Sequence, residues 1–195
     1  MKHLRYLAVI AACLFCASFA LGQSVDAFLG FNALLTKSPN NGAPKLGSGL
    51  FPSAGGDIIF LPHGIGFGAQ VAWRASQTDF FGEGVRPIMY SFNLAWEPIA
   101  PGFKFRPDFS IGAGAESLRF YQGVYTCGAF TGCSDYTSSN HGMLHAGVGL
   151  KVYFTDHLFL RPALDFYTVR HNFEFDVPNA WQTGIAIGYT LGPSS

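Results

Sequence analysis

In FKFRPDFSIGAGAE, residues 103 to 116, two chemistries alternate. Phe103, Phe105, Pro107, Phe109, Ile111, Ala113 and Ala115 hold the odd positions, and Lys104, Arg106, Asp108, Ser110, Gly112, Gly114 and Glu116 the even ones. A period of two belongs to a β-strand, whose successive side chains point to opposite faces. Two other segments repeat the split. Trp181, Ile185, Ile187, Tyr189 and Leu191 oppose Gln182, Gly184, Ala186, Gly188 and Thr190; Leu144, Ala146, Val148, Leu150, Val152 and Phe154 oppose His145, Gly147, Gly149 and Lys151. Such strands need apolar surroundings on one side and a polar, crowded space on the other.

Extending the parity count puts Asp26, Asp57, Arg74, Glu97, Lys104, Arg106, Asp108, Glu116, Lys151, Arg161 and Asp165 on the polar faces. These six acids and five bases form a candidate charge network that can neutralise itself. Only Arg119 and Arg170 fall on the apolar parity, both beside long connections. A one-residue slip would turn each network charge outward, at about 2 to 4 kcal/mol for an Arg or Lys at a bilayer midplane. The register is therefore strongly constrained.

No long helical periodicity appears, and eight segments read as strands: 25–36, 53–61, 64–76, 88–98, 103–118, 142–154, 158–169 and 180–191. The connections alternate between long and short. KSPNNGAPKLGS, QTDFFGEGVRP, the stretch from Arg119 to His141 and RHNFEFDVPN fall at one end; PH, IAPG and TDH fall at the other. This predicts an all-β chain, an eight-stranded antiparallel up-and-down transmembrane β-barrel with short turns at the periplasmic end. A soluble lipocalin-like binding barrel would reverse the faces. Three features favour the apolar face outward. Glycines cluster on the polar face, where a small barrel has room only for packed side chains; the other face is uniformly bulky; Tyr90, Trp96, Phe103, Phe154 and Trp181 sit toward strand ends, as interfacial girdles do.

The first 22 residues are set apart from this domain. Lys2 and Arg5 precede the apolar run Leu7 to Phe19 and the small-residue end Ala20-Leu21-Gly22, the pattern of a cleaved signal peptide, leaving 23–195 as the barrel. A lipoprotein box at Ile10-Ala11-Ala12-Cys13 is the competing reading, but it would leave a very short signal. Removing Lys2 and Arg5 from twelve basic residues leaves ten against twelve acidic ones. The mature chain is then weakly acidic and has no basic patch for nucleic acid. Cys127 and Cys133, in CGAFTGC, remain after cleavage, and an exported pair reads as a disulfide.

On the alternation from about Ser24 to Leu191, and on the closing WQTGIAIGYTLG, the chain resembles the small eight-stranded outer-membrane β-barrels of the OmpA and OmpX type. The resemblance implies localisation in the outer membrane of a Gram-negative-type bacterium, contact with its lipid, and a terminal strand read by the insertion machinery. Members usually finish on an aromatic residue, whereas Gly192-Pro193-Ser194-Ser195 follows Leu191 here. Pro107 and Pro162 each remove a ladder donor and call for a neighbouring bulge.

No catalytic, cofactor or metal residues are assigned. His141 and His145 have helical zinc spacing, but four strand steps separate them by about 13 Å. GIGFG, GAG and GVG lead into no helix, so phosphate binding is not expected. Some small outer-membrane barrels modify lipids with a wall histidine; none falls on the apolar parity here, although His171 with Arg170, Glu174 and Asp176 could form a rim site. A small pore or channel for hydrophobic compounds is a further alternative, opposed by side chains able to fill the lumen. The reading is a monomer with no enzymatic activity and a structural, adhesive or binding role. Its large surface loop, Tyr121 to Asn140, would present Tyr125, Phe130 and Tyr136 to an extracellular ligand or partner.

Overall fold

A computed structural model describes residues 24–37, 45–47, 49–99, 102–128, 132–170 and 178–192. The expected signal segment lies outside these residues. So do Phe130, His171, Glu174 and Asp176.

Among the described residues nine strands follow in chain order: β1 (Ser24–Thr36), β2 (Leu50–Leu61), β3 (Ile65–Trp73), β4 (Thr78–Phe80), β5 (Glu83–Trp96), β6 (Phe105–Gly128), β7 (Gly132–Tyr153), β8 (Leu158–Val169) and β9 (Asn179–Leu191). All pairings are antiparallel. Eight strands close a cylinder through β1–β9 and β3–β5, while β4 pairs only with the start of β5. The connection QTDFFGEGVRP is thus partly ordered as a hairpin. Phe81 and Gly82 both take positive φ, 51° and 92°, which suits the tight two-residue turn between Phe80 and its partner Glu83. β5 therefore begins at Glu83, earlier than the expected Ile88.

Parity decides the faces as the alternation requires. Phe92 is 71% exposed and Phe105 56%, whereas Arg106 is 4% and Lys151 0%. The wall is greasy outside and the ions are enclosed. Close approach of strands demands small residues inside: a Cβ on Gly114 would stand 1.8 Å from the Tyr90 carbonyl oxygen across the β5–β6 pair. Only glycine fits there.

The prolines sit without bulges. Continuing the β5–β6 register past Trp96↔Phe109 brings Pro107 opposite Pro98, beyond the end of β5, so neither needs a donor from the other. Pro162 stands opposite Leu150 of β7. The β7–β8 ladder is interrupted there, between Gly149↔Ala163 and Val152↔Leu160, and resumes in the same register.

Of the stretch from Tyr121 to Asn140, the described residues 121–128 and 132–140 are strand rather than loop. β6 and β7 continue past the barrel as a two-stranded arm, paired to Gly128↔Gly132 with one irregularity between Tyr121 and Thr126. The Gly, Ser and Thr-rich composition of this stretch concealed the pairing.

The lumen also differs from a uniformly polar space. At the long-loop end, Leu34, Phe51, Val85, Met89, Leu118, Met143, Tyr167, Val169 and Ala180 form a buried apolar cluster, joined by Leu46 from the first connection. Phe80 and Phe120 pack against it. This cluster lies at the long-loop end, above the charged residues.

Candidate functional site

The remaining lumen is polar because each strand delivers its inward parity there. Lys151, on β7, is fully buried. Its ammonium contacts Asp26 of β1, lies 2.5 Å from Glu97 Oε1 just past β5, and is 3.6 Å from Asp57 Oδ2 of β2. Glu97 uses its other oxygen for Arg106 of β6. Arg106 Nη1 also donates to the Tyr153 hydroxyl at 3.0 Å, and that hydroxyl shares a 2.9 Å hydrogen bond with Thr190. Strands distant in sequence are thereby joined across the bore.

A second pair lies above. Arg161 of β8 donates from Nε and Nη2 to Asp108 Oδ2 of β6 at 2.9 and 2.5 Å. His145 places Nε2 2.9 Å from Asp165 and Nδ1 2.8 Å from the Asn93 amide oxygen, and it stacks on Tyr167 at 4.8 Å. Aromatic faces support the cations: Tyr153 beneath Arg106 at 5.3 Å, Phe159 beneath Lys151 at 5.3 Å and Phe28 beneath Arg161 at 4.9 Å. Buried ions of this kind are tolerable only when paired and hydrogen-bonded.

Asp26, Asp57 and Glu97 have oxygens within 4.8 Å of one another, the spacing of a cation site. The Lys151 ammonium is the cation they hold. Between Phe28, Gln70, Asn93, Asp108 and Arg161 a cavity of about 10 Å³ remains, room for roughly one water.

Of the eleven charges expected inside, ten point inward or cap the bore. Arg74 is buried just past β3, beside Gly49, and Glu116 is fully buried on β6. Lys104 is the correction: it is exposed and precedes β6, because the strand starts only at Phe105. Without it, six carboxylates meet four Arg or Lys side chains, and His145 serves Asp165. Cys127 and Cys133 are disulfide-bonded directly across the arm. Tyr136 is half-buried, 5.8 Å from the Tyr121 ring and 4.8 Å beneath the Arg119 guanidinium, so it is not freely exposed. Tyr125 belongs to β6, and its side chain lies outside the described residues.

Sequence reasoning missed Asn93, Tyr153, Thr190 and the apolar cap. Their inward parity was visible; their partners were not.

No family model matches the chain, and no curated protein does either. Solved structures do match. Neisserial surface protein A (NspA) shares the fold with a TM-score of 0.57 at 10% identity, over 88% of this chain and 97% of that one. Ail, the attachment invasion locus protein of Yersinia pestis, in complex with the heparin analogue sucrose octasulfate, gives 0.55 at 12% identity over 87% and 99%. Outer membrane protein OprG from Pseudomonas aeruginosa gives 0.55 at 13% over 90% and 99%. At these identities the likeness is one of fold: a closed eight-stranded antiparallel barrel like the small outer-membrane barrels.

Proposed function

We propose that the protein is a monomeric outer-membrane barrel, exported by a signal over residues 1–22, with a closed lumen and a structural or adhesive role carried by its long-loop end. The observation that carries the closed lumen is Lys151 held among Asp26, Asp57 and Glu97, with the Leu34, Leu46 and Phe51 cluster across the mouth. A conducting path would have to open both layers, one by separating buried ions and the other by hydrating a packed apolar cluster. Planar-bilayer recording should therefore show no discrete conductance steps. Reproducible stepwise openings would overturn the plug and favour the pore.

Two features support the binding role: the disulfide-clipped arm beyond the barrel, and the aromatic and small polar residues along it. Deleting 124–138 should leave the heat-modifiable gel mobility of the barrel intact and abolish capture on a glycan array or immobilised heparin. Equal capture by the deletion variant refutes a role for the arm. A lipid A mass spectrum unchanged by the protein is expected of a barrel without lipid-modifying activity.

A further inference from the structure

We propose that Arg86 and Arg119 form a clamp on the outer wall for the phosphorylated head group of a membrane lipid. The two arginines are direct cross-strand partners in the β5–β6 ladder, and both lie on the outward parity. Like charges directly opposite destabilise a strand pair. No acid among the described residues forms an ion pair with either one. Asp79, on the same face of its hairpin by register, makes none.

What surrounds the arginines is aromatic. Tyr121 lies 5.7 Å beneath Arg86, Tyr136 lies 4.8 Å beneath Arg119, and the two rings are 5.8 Å apart. Both arginines are half-buried, each against its own ring, and the register sets them opposite one another. The Arg86 Nε is buried without a hydrogen-bond partner. Ser138, the β7 partner of Arg119, adds a hydroxyl-bearing residue on the same face. Paired planar donors match the oxygens of a phosphate, and guanidinium is the side chain best shaped for that contact.

Height identifies the occupant as lipid. Trp96 stands outward near the short-turn end of β5, and Arg86 lies ten residues further along the same strand face. At about 3.3 Å per residue and a tilt near 40°, that is roughly 25 Å across the barrel, the height of the apolar band in membrane barrels. Ile88, Tyr90 and Phe92 fill the interval. The arginine pair therefore sits at the level of the far head groups, its guanidiniums beside hydrocarbon on one side and the arm on the other.

The inference rests on the membrane-barrel reading, and the experiment separates the two. The full chain and R86Q/R119Q are refolded in micelles, and heat-modifiable gel mobility confirms the barrel. Equal amounts of bis-phosphorylated and dephosphorylated lipid A are then offered, and bound lipid is counted by native mass spectrometry. The wild type should prefer the phosphorylated form, and the glutamine pair should lose about 30-fold of that preference, equivalent to about 2 kcal/mol for two arginines. R86K/R119K, which keeps the charge but loses the paired planar donors, should retain part of it. Equal retention of both lipids by the wild type, undiminished preference in a folded glutamine pair, or complete loss in a folded lysine pair overturns the clamp. Sucrose octasulfate binding that depends on both arginines, without a lipid preference, assigns them to a soluble polyanion and overturns the lipid assignment. Failure of the wild type to give a heat-modifiable band overturns the barrel reading instead.

Discussion

Replacing Lys151 with methionine removes the one cation shared by Asp26, Asp57 and Glu97 while keeping most of the side-chain volume over Phe159. Three carboxylates then remain with oxygens within 4.8 Å, and of these only Glu97 keeps an ion-pair partner, Arg106. At an effective dielectric of about 20, two unit charges at that distance repel by roughly 3.5 kcal/mol. Relaxation and water entry bring the expected loss to the range measured when one partner of a buried pair is deleted, about 3 to 5 kcal/mol. That is a large part of a typical total of roughly 5 to 15 kcal/mol. The assay is urea unfolding of the refolded barrel, followed by its heat-modifiable gel band. With a slope of about 2 kcal/mol/M, the midpoint should fall by about 2 M. The rescue is specific. D26N/D57N/K151M leaves the Glu97–Arg106 pair intact and removes the two unpaired charges, so it should recover more than half of the loss. A K151M midpoint equal to wild type, or a triple variant as unstable as the single one, refutes the assignment of Lys151 as the hub.

Three further outcomes are expected. Gly114→Val should prevent closure of the β5–β6 seam, because its first side-chain carbon meets the Tyr90 carbonyl, and no heat-modifiable band should form. Phe92→Arg, at a site 71% exposed on the outer wall, should cost about 2 to 4 kcal/mol and lower the folding yield into vesicles, while the same change in a soluble barrel's exterior would be almost silent. C127S/C133S should leave the barrel's unfolding midpoint nearly unchanged and increase protease cleavage near the arm tip, because the bridge closes a short span outside the cylinder.

Parity in the sequence determined the faces of this protein almost completely, since strand geometry allows only two directions and the charges occupy one. The partnerships were not legible. Lys151 meets Asp26 across 125 positions of sequence, a contact set by closure of β1 onto β9 rather than by any local pattern. The apolar cap was missed because Leu34, Phe51, Met89 and Leu118 share the polar parity, and hydrophobic residues on that face only make sense once a connection returns Leu46 over the mouth. The arm was concealed by Gly, Ser and Thr, which read as turns where two chains of hydrogen bonds in fact continue. Lys104 was misplaced for the opposite reason: alternation began two residues before the strand did.

The long β6–β7 hairpin has a mechanical consequence. The rails that meet at the cystine run down to Arg106 and Lys151, so traction on the tip by an attached object is delivered along the axis of both strands and into the ion cluster at the far end. Inside the barrel wall their neighbours β5 and β8 resist that traction in shear, with many backbone bonds loaded together, whereas among the described residues no strand pairs with the outer side of the protruding part.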